Sequence, residues 1–143
     1  MRLPLAGLLL VLVLIGVGCS GRDPNRKETV PVIGVITVDG KPAESVQITF
    51  HPEGGMDQTQ PTETRAMSAA DGKFAATTYE LGDGATLGKF KLTFKLPKLN
   101  SISMTFDGDA FKGRYANPEK SQHSIEVVSG MPIDLGTIEL SGR

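Results

Sequence analysis

The chain has 143 residues, among them 17 Gly and 9 Pro, with a formal net charge of −1, a pI near 6.1 and a mean hydropathy of −0.07. That length holds one domain and not two independent cores, and the Gly and Pro content stays below the share at which low complexity sets in. The near-neutral charge argues against nucleic acid as a partner, because proteins that bind DNA or RNA carry a basic footprint.

Arg2 is followed by an uncharged run over residues 3–18 (LPLAGLLLVLVLIGVG) that ends in small residues just before Cys19. A positive start, an apolar stretch and a small-residue end describe a secretory signal peptide over residues 1–18. A permanent spanning helix needs about 20 apolar residues, and Pro4, Gly7, Gly16 and Gly18 interrupt this run. Cys19 is the sole cysteine and is followed by Ser20-Gly21, a junction that resembles the lipobox of bacterial lipoproteins. There the thiol is diacylated and becomes the new N-terminus. Val17 and Gly18 fit the two positions before the cysteine, whereas Gly16 stands where Leu is usual. Cys19 is thus the expected lipid attachment, with palmitate-type acylation, and the membrane is the expected partner through that anchor. An exported chain whose one thiol is acylated forms no disulfide, so its stability has to come from its core. Residues 20–29 (SGRDPNRKET) hold no apolar side chain, and 19–29 reads as a flexible tether ahead of a domain over 30–143.

From Val30 onward the pattern has period two. Residues 30–38 are rich in β-branched side chains and end at Asp39-Gly40. In 45–51 Val46, Ile48 and Phe50 alternate with Gln47, Thr49 and His51, which places one face inside and the other in water. Residues 64–70 and 73–77 flank Asp71-Gly72, a hairpin signal, since the favoured two-residue turn needs positive φ at both positions. Residues 89–96 repeat the alternation, with Phe90, Leu92, Phe94 and Leu96 against Lys89, Lys91, Thr93 and Lys95. Residues 124–128 and 132–140 form a last pair around Gly130. No window shows helical spacing over three turns. Seven strands without a helix define an all-β, antiparallel sandwich, with Val46, Ile48, Phe50, Phe74, Phe90, Leu92, Phe94, Ile125, Val127, Leu135 and Ile138 as its expected core.

Between residues 97 and 120 no strand is evident, yet Leu99, Ile102, Met104, Phe106, Phe111 and Tyr115 make the segment too apolar for disorder. Two readings stand. Residues 101–106 form an extra strand that buries Ile102, Met104 and Phe106, or the segment is an apolar loop that docks a protein through Phe106, Phe111 and Tyr115.

Catalysis has little to stand on. The histidines are His51 and His123, no G-x-S-x-G elbow marks a serine, and Cys19 is spoken for. Asp-Gly occurs at 39–40, 71–72, 83–84 and 107–108. A calcium loop needs several oxygens at spaced positions, which only Asp107 and Asp109 begin to supply, so turns are expected and no metal or other cofactor.

The elements Val35-x-x-x-Asp39-Gly40-Lys41-Pro42, Val46-x-Ile48-x-Phe50-x-Pro52, Ala70-Asp71-Gly72-Lys73-Phe74 with Thr77-Thr78, and Asp83-Gly84-Ala85 with Gly88 together resemble the carboxypeptidase regulatory-like, transthyretin-like domains. With Tyr115-x-x-Pro118-x-x-Ser121 leading into Ile125–Val128, the chain is similar to small planctomycete lipoproteins of this type. The resemblance implies a seven-stranded prealbumin-like sandwich on a lipid-anchored envelope protein, exported and facing the periplasm. It implies an accessory or protein-binding module and no enzyme. The hydroxyisourate hydrolases of this fold end in Tyr-Arg-Gly-Ser, whereas this chain ends Leu140-Ser141-Gly142-Arg143, which leaves a small hydrolase the weakest reading. A carbohydrate-binding module, with envelope glycans as partner, is the rival. Glycan stacking favours Trp and exposed Tyr, and the chain has no Trp and only Tyr79 and Tyr115.

Overall fold

The structure, a computed structural model, describes residues 23–143; the expected signal peptide over residues 1–18 and the acylation site Cys19 lie outside the described residues. The chain forms β1 (Thr29–Val30), β2 (Val32–Val38), β3 (Lys41–Pro42), β4 (Gln47–Pro52), β5 (Thr64–Met67), β6 (Lys73–Ala75), β7 (Ala85–Thr86), β8 (Gly88–Lys95), β9 (Pro97–Asn100), β10 (Thr105–Asp109), β11 (Ser124–Val127) and β12 (Ile133–Leu140), with a single 3₁₀ turn at Pro118–Lys120. All seven expected strands are present. The first is split because Pro31 has no N–H for a ladder; its carbonyl instead accepts from the Ile133 amide at 2.9 Å.

One sheet runs β11-β8-β4-β5 and is antiparallel throughout. The other runs β12-β2-β3, with β6 also pairing β2. The inward side chains of both sheets meet in one hydrophobic cluster, among them Val46, Ile48, Phe50, Phe90, Leu92 and Phe94 from the first sheet and Val32, Ile36, Phe74, Ile138 and Leu140 from the second. The molecule is an all-β sandwich. Leu135, expected in the core, is partly buried against it. Fully burying each such side chain contributes about 1.5–3 kcal/mol.

The expectation of a wholly antiparallel sandwich fails at one pair. β12 lies parallel to β2, from Ile133 beside Val32 to Leu140 beside Val38, with a bulge between Asp134 and Thr137. At the bulge Gly136 has φ 63°, and its amide donates to Asp134 Oδ1 at 2.8 Å. The cause is the connection. β11 ends at Val127 opposite Gly88, and the following residues carry the chain across to the other sheet beside the start of β2, so β12 sets off in the same direction.

The sandwich has two distinct ends. β2 begins at Val32, where β1 pairs β7, and the Lys27 ammonium reaches Asp57 beyond the end of β4 at 2.7 Å. At the other end β2 finishes and turns through Asp39 and Gly40, with φ 49° and 80°, the geometry of a tight hairpin turn. There β8 ends at Lys95 beside Gln47. The N-terminal segment therefore enters at one end, and the segment that directly follows Lys95 leaves from the other. Of the segment expected to be a tether, Arg26 and Lys27 are held to the domain: Lys27 N donates to Tyr79 Oη at 3.0 Å, the Arg26 guanidinium lies 5.2 Å from the Tyr79 ring centroid, and Thr29 is already in β1.

Candidate functional site

β9 and β10 form a separate two-stranded hairpin that pairs with neither large sheet. Thr105 lies opposite Asn100, Phe106 opposite Leu99 and Asp107 opposite Lys98, with a bulge between Asp107 and Asp109. The expected strand over residues 101–106 does not form, and the side chains it was to bury are open to solvent: Ile102 is 96% exposed, Met104 73% and Phe106 72%. The reason is local. The Asn100 side-chain oxygen accepts from the amides of Ile102 at 3.0 Å and Ser103 at 3.3 Å, a side-chain turn of the kind Asn favours, and Met104 takes φ 54°, so the chain reverses where alternation promised extension.

An isolated two-stranded hairpin is marginal in water, and this one is held at its base. Asp109 Oδ1 accepts from the amides of Leu96 and Phe111, each at 3.0 Å, while Oδ2 accepts from Gly113 at 2.9 Å. The Ala110 amide closes the clamp on Leu96 O at 2.8 Å. Hydrogen bonds to a charged acceptor contribute about 1.5–3 kcal/mol each. Asp109, noted in the sequence only for calcium-like spacing, thus spends its carboxylate on backbone amides, and among the described residues no group of three or more His, Cys, Asp or Glu gathers to hold a metal ion. The clue within the sequence was an Asp two residues before Phe111, a common capping arrangement.

The three aromatics expected to bind a partner are separated by the structure. Phe111 is 2% exposed and sits edge-on to Tyr115 at 5.2 Å, so it belongs to the core and not to a surface. Tyr115 is half-buried, edge-on to Phe94 at 6.2 Å, with its hydroxyl accepting from Ser141 N at 2.8 Å. Phe106 alone projects, beside Leu99, which is 47% exposed. Phe106 and Lys95 line a depression of about 290 Å³ together with Gln47 and Met67. Gln47 and Met67 also line an open groove of about 640 Å³ along β5, walled further by Thr49, Thr77 and Leu81. Hairpin and groove form one surface, which sequence reasoning could not assemble because β5 and β9 lie far apart in the chain.

Elsewhere several polar groups are engaged in structure. His51 Nε2 lies 2.8 Å from Thr93 Oγ1 on the outer face of a sheet. Tyr79 and Tyr115 both use their hydroxyls to hold backbone amides, with the Arg26 guanidinium over the Tyr79 ring and Phe94 and Phe111 edge-on to Tyr115. No helix among the described residues is long and apolar enough to cross a membrane.

Asp57, Glu63, Asp71 and His123 set the acid side of stability, Asp71 being lowered by the Lys73 amide. The Lys27 ammonium, followed by the Thr59 hydroxyl and the amides of Thr59 and Gln60, holds Asp57 well below the usual carboxylate range, and Arg65 lowers Glu63. Depressed acids contribute stability that is present above their unfolded pKa of about 4 and lost as pH falls through the folded one. Burial pushes the His123 imidazole down; its neutral form suits the fold, so its contribution is full above its unfolded pKa of about 6.5 and lost below it. Urea midpoints measured against pH are expected to be level above neutrality, to fall first as pH drops through about 6.5 and again below about 4. His123→Asn should abolish the first step only. A midpoint that rises on acidification from neutrality would contradict the assignment.

The sequence matches no protein-family model and no curated protein. Among solved structures, a 9R-lipoxygenase from Cyanothece PCC8801 is similar over 79% of this chain and 16% of that one, with 11% sequence identity and a TM-score of 0.40. The chain thus spans about a sixth of that enzyme's length, and a likeness this distant carries no argument about function. The class that fold and site define is an all-β sandwich bearing a projecting apolar hairpin.

Proposed function

We propose that the chain is a non-catalytic, lipid-anchored protein of the bacterial cell envelope, exported and facing the periplasm, whose sandwich acts as an accessory module that docks another protein. In this reading the sandwich is a seven-stranded prealbumin-like domain of the carboxypeptidase regulatory-like, transthyretin-like type, and residues 1–18 are its signal peptide. The observation that carries the docking role is the β9–β10 hairpin. Ile102, Met104, Phe106 and Leu99 are exposed on an element clamped by Asp109, and Phe106 lines the depression whose Met67 also walls the groove along β5. Clustered exposed apolar side chains on a rigid scaffold mark a binding surface. The polarity of the molecule fits an anchor: a chain tethered through Cys19 holds the membrane at the β1 end and presents the hairpin at the other. The fitting partner is an apolar protein surface, because the tip of the hairpin over 101–106 carries Ile102, Met104 and Phe106 and no charged residue.

Two experiments test it. Cys19→Ala is expected to release the chain from membranes or to block processing; unchanged membrane retention with normal cleavage would remove the anchor. A photo-crosslinker at position 102 of the full chain in its own membranes is expected to give a discrete protein adduct, lost when Phe106 is changed to Ser, while a crosslinker at position 26 gives none. Such surface changes should shift stability by no more than about 0.5 kcal/mol. Adducts that are lipid, or that survive Phe106→Ser, would sink the docking surface.

A further inference from the structure

A second site lies away from the hairpin, on the segment that runs from Arg114 to His123 along β8. This segment is fastened by the backbone: Phe94 N donates to Tyr115 O at 3.1 Å and Leu92 N to His123 O at 2.9 Å, while Ser121 Oγ donates to Leu92 O at 2.6 Å. The His123 ring stands edge-on to Phe94 at 5.2 Å. Beside it a depression of about 250 Å³ is lined by Arg114, Asn117, Lys120, Gln122 and His123, with Tyr115 and Ser121 at its base.

The hydrogen-bonding inventory of this pocket is one-sided. An Arg side chain offers five N–H donors and Lys three, and neither accepts. Arg114 uses one donor on Ser141 O at 3.0 Å, and among the described residues neither Arg114 nor Lys120 enters an ion pair. Two of the side-chain acceptors, by contrast, are occupied. Asn117 Oδ1 takes the Glu119 amide at 2.9 Å, which leaves its NH₂ to donate. Tyr115 Oη takes the Ser141 amide, which leaves its proton. No carboxylate lines the pocket. Two cations and several spare donors facing one small cavity, on a chain whose net charge is −1, call for an acceptor-only ligand of complementary charge.

We propose that this pocket binds a small oxyanion, the carboxylate or phosphate group of a soluble ligand, with Arg114 and Lys120 as its charged contacts and Asn117 and His123 completing the cage. The volume suits a single anionic group with a short substituent, since pockets for larger organic ligands run to about 300–1,000 Å³. The site is independent of the hairpin and of the anchor, and stands or falls without them.

The chain contains two histidines, which makes the test direct. The ring signals of His123 and His51 are followed by NMR in the full chain, held in a non-ionic detergent, during titration with sodium phosphate, sodium acetate and, at matched ionic strength, sodium chloride. Phosphate or acetate is expected to move the His123 signals to saturation and to raise its titration midpoint, because a bound anion favours the imidazolium, while His51 stays unmoved. A response to phosphate alone assigns a phosphate group to the ligand, and a response to acetate alone assigns a carboxylate. Lys120→Gln, which removes no contact within the fold, should weaken binding at least about tenfold, or about 1.4 kcal/mol; Arg114→Gln should do the same, and Lys41→Gln should do nothing. An equal response to chloride, no saturable shift with either oxyanion, or wild-type affinity in Lys120→Gln would overturn the site.

Discussion

Phe94→Ala is expected to cost about 3–5 kcal/mol, a large part of the roughly 5–15 kcal/mol that separates a folded domain from its unfolded chain. Phe94 is 1% exposed, lies opposite Ile48 where β8 meets β4, and holds two rings edge-on, Tyr115 at 6.2 Å and His123 at 5.2 Å. Its loss opens a cavity that two paired sheets cannot close, because their strand spacing is set by hydrogen bonds. It also removes the support of the Arg114–His123 segment, so the His123 ring signal should lose its distinct shift in whatever fraction remains folded. Lys91→Ala, three residues away on the opposite face of β8, is the contrast. Lys91 faces Glu53 at 3.5 Å, a largely exposed pair of the kind that contributes about 0–1 kcal/mol. Thermal melts should separate the two variants by about 10–20 °C. Equal tolerance would mean that the inward face of β8 has been misassigned.

Gly84→Ala is expected to be nearly as severe, for a reason that has nothing to do with the core. Gly84 has φ 101°, and a Cβ built on it would stand 1.9 Å from Val30 O and 2.7 Å from Pro31 N. No side chain can yield there, since both contacts are backbone. The residue is also fixed by its own polar groups: its amide donates to Ala76 O at 2.9 Å, and its carbonyl accepts from Thr78 Oγ1 at 2.7 Å. Just before it, Asp83 accepts from the amides of Thr78, Tyr79 and Glu80. An added methyl therefore has to push β1 off β7, and the backbone strain of about 1–3 kcal/mol comes on top of that displacement. Gly40→Ala makes the comparison. Gly40 has φ 80° with nothing within 4 Å of the added carbon, and should lose only about 1 kcal/mol. Urea midpoints rank the two, and limited proteolysis should cut residues 23–31 faster in Gly84→Ala alone. Similar losses in both variants would show that the turn conformation, and not the close approach of Val30, governs the cost.

Much of the sheet is legible in the order of the amino acids. In residues 45–51 and 89–96 the alternation of apolar and polar side chains is strict, and a period of two admits one assignment of faces. At Asp39-Gly40 both residues take positive φ, as a two-residue hairpin turn requires, whereas at Asp71-Gly72 only Gly72 does, at 80°, and the expected hairpin opens, with β5 pairing β4 and β6 pairing β2. The candidate site is less legible. Phe106, Phe111 and Tyr115 stand in a stretch with no period to refer to, so composition places apolar residues there without saying which face water. The division between exposed Phe106 and buried Phe111 follows from Asp109, which folds the chain back at the hairpin base, and from the Asn100 turn that reverses it at the tip.

The amino-acid sequence alone determined that this protein is all-β, and in 45–51 and 89–96 which face of the strand is inward, because these are local properties of a two-residue repeat. The expectations of an export signal and of an anchor at Cys19 come from the same local reading. Only the tertiary structure decided that β12 runs parallel to β2, that the hairpin leaves from the end opposite β1, and that Arg114, Asn117, Lys120 and His123 line one pocket beside β8. Those are relations between residues distant along the chain, set by which way each connection crosses between the sheets and by which backbone groups pair when it arrives.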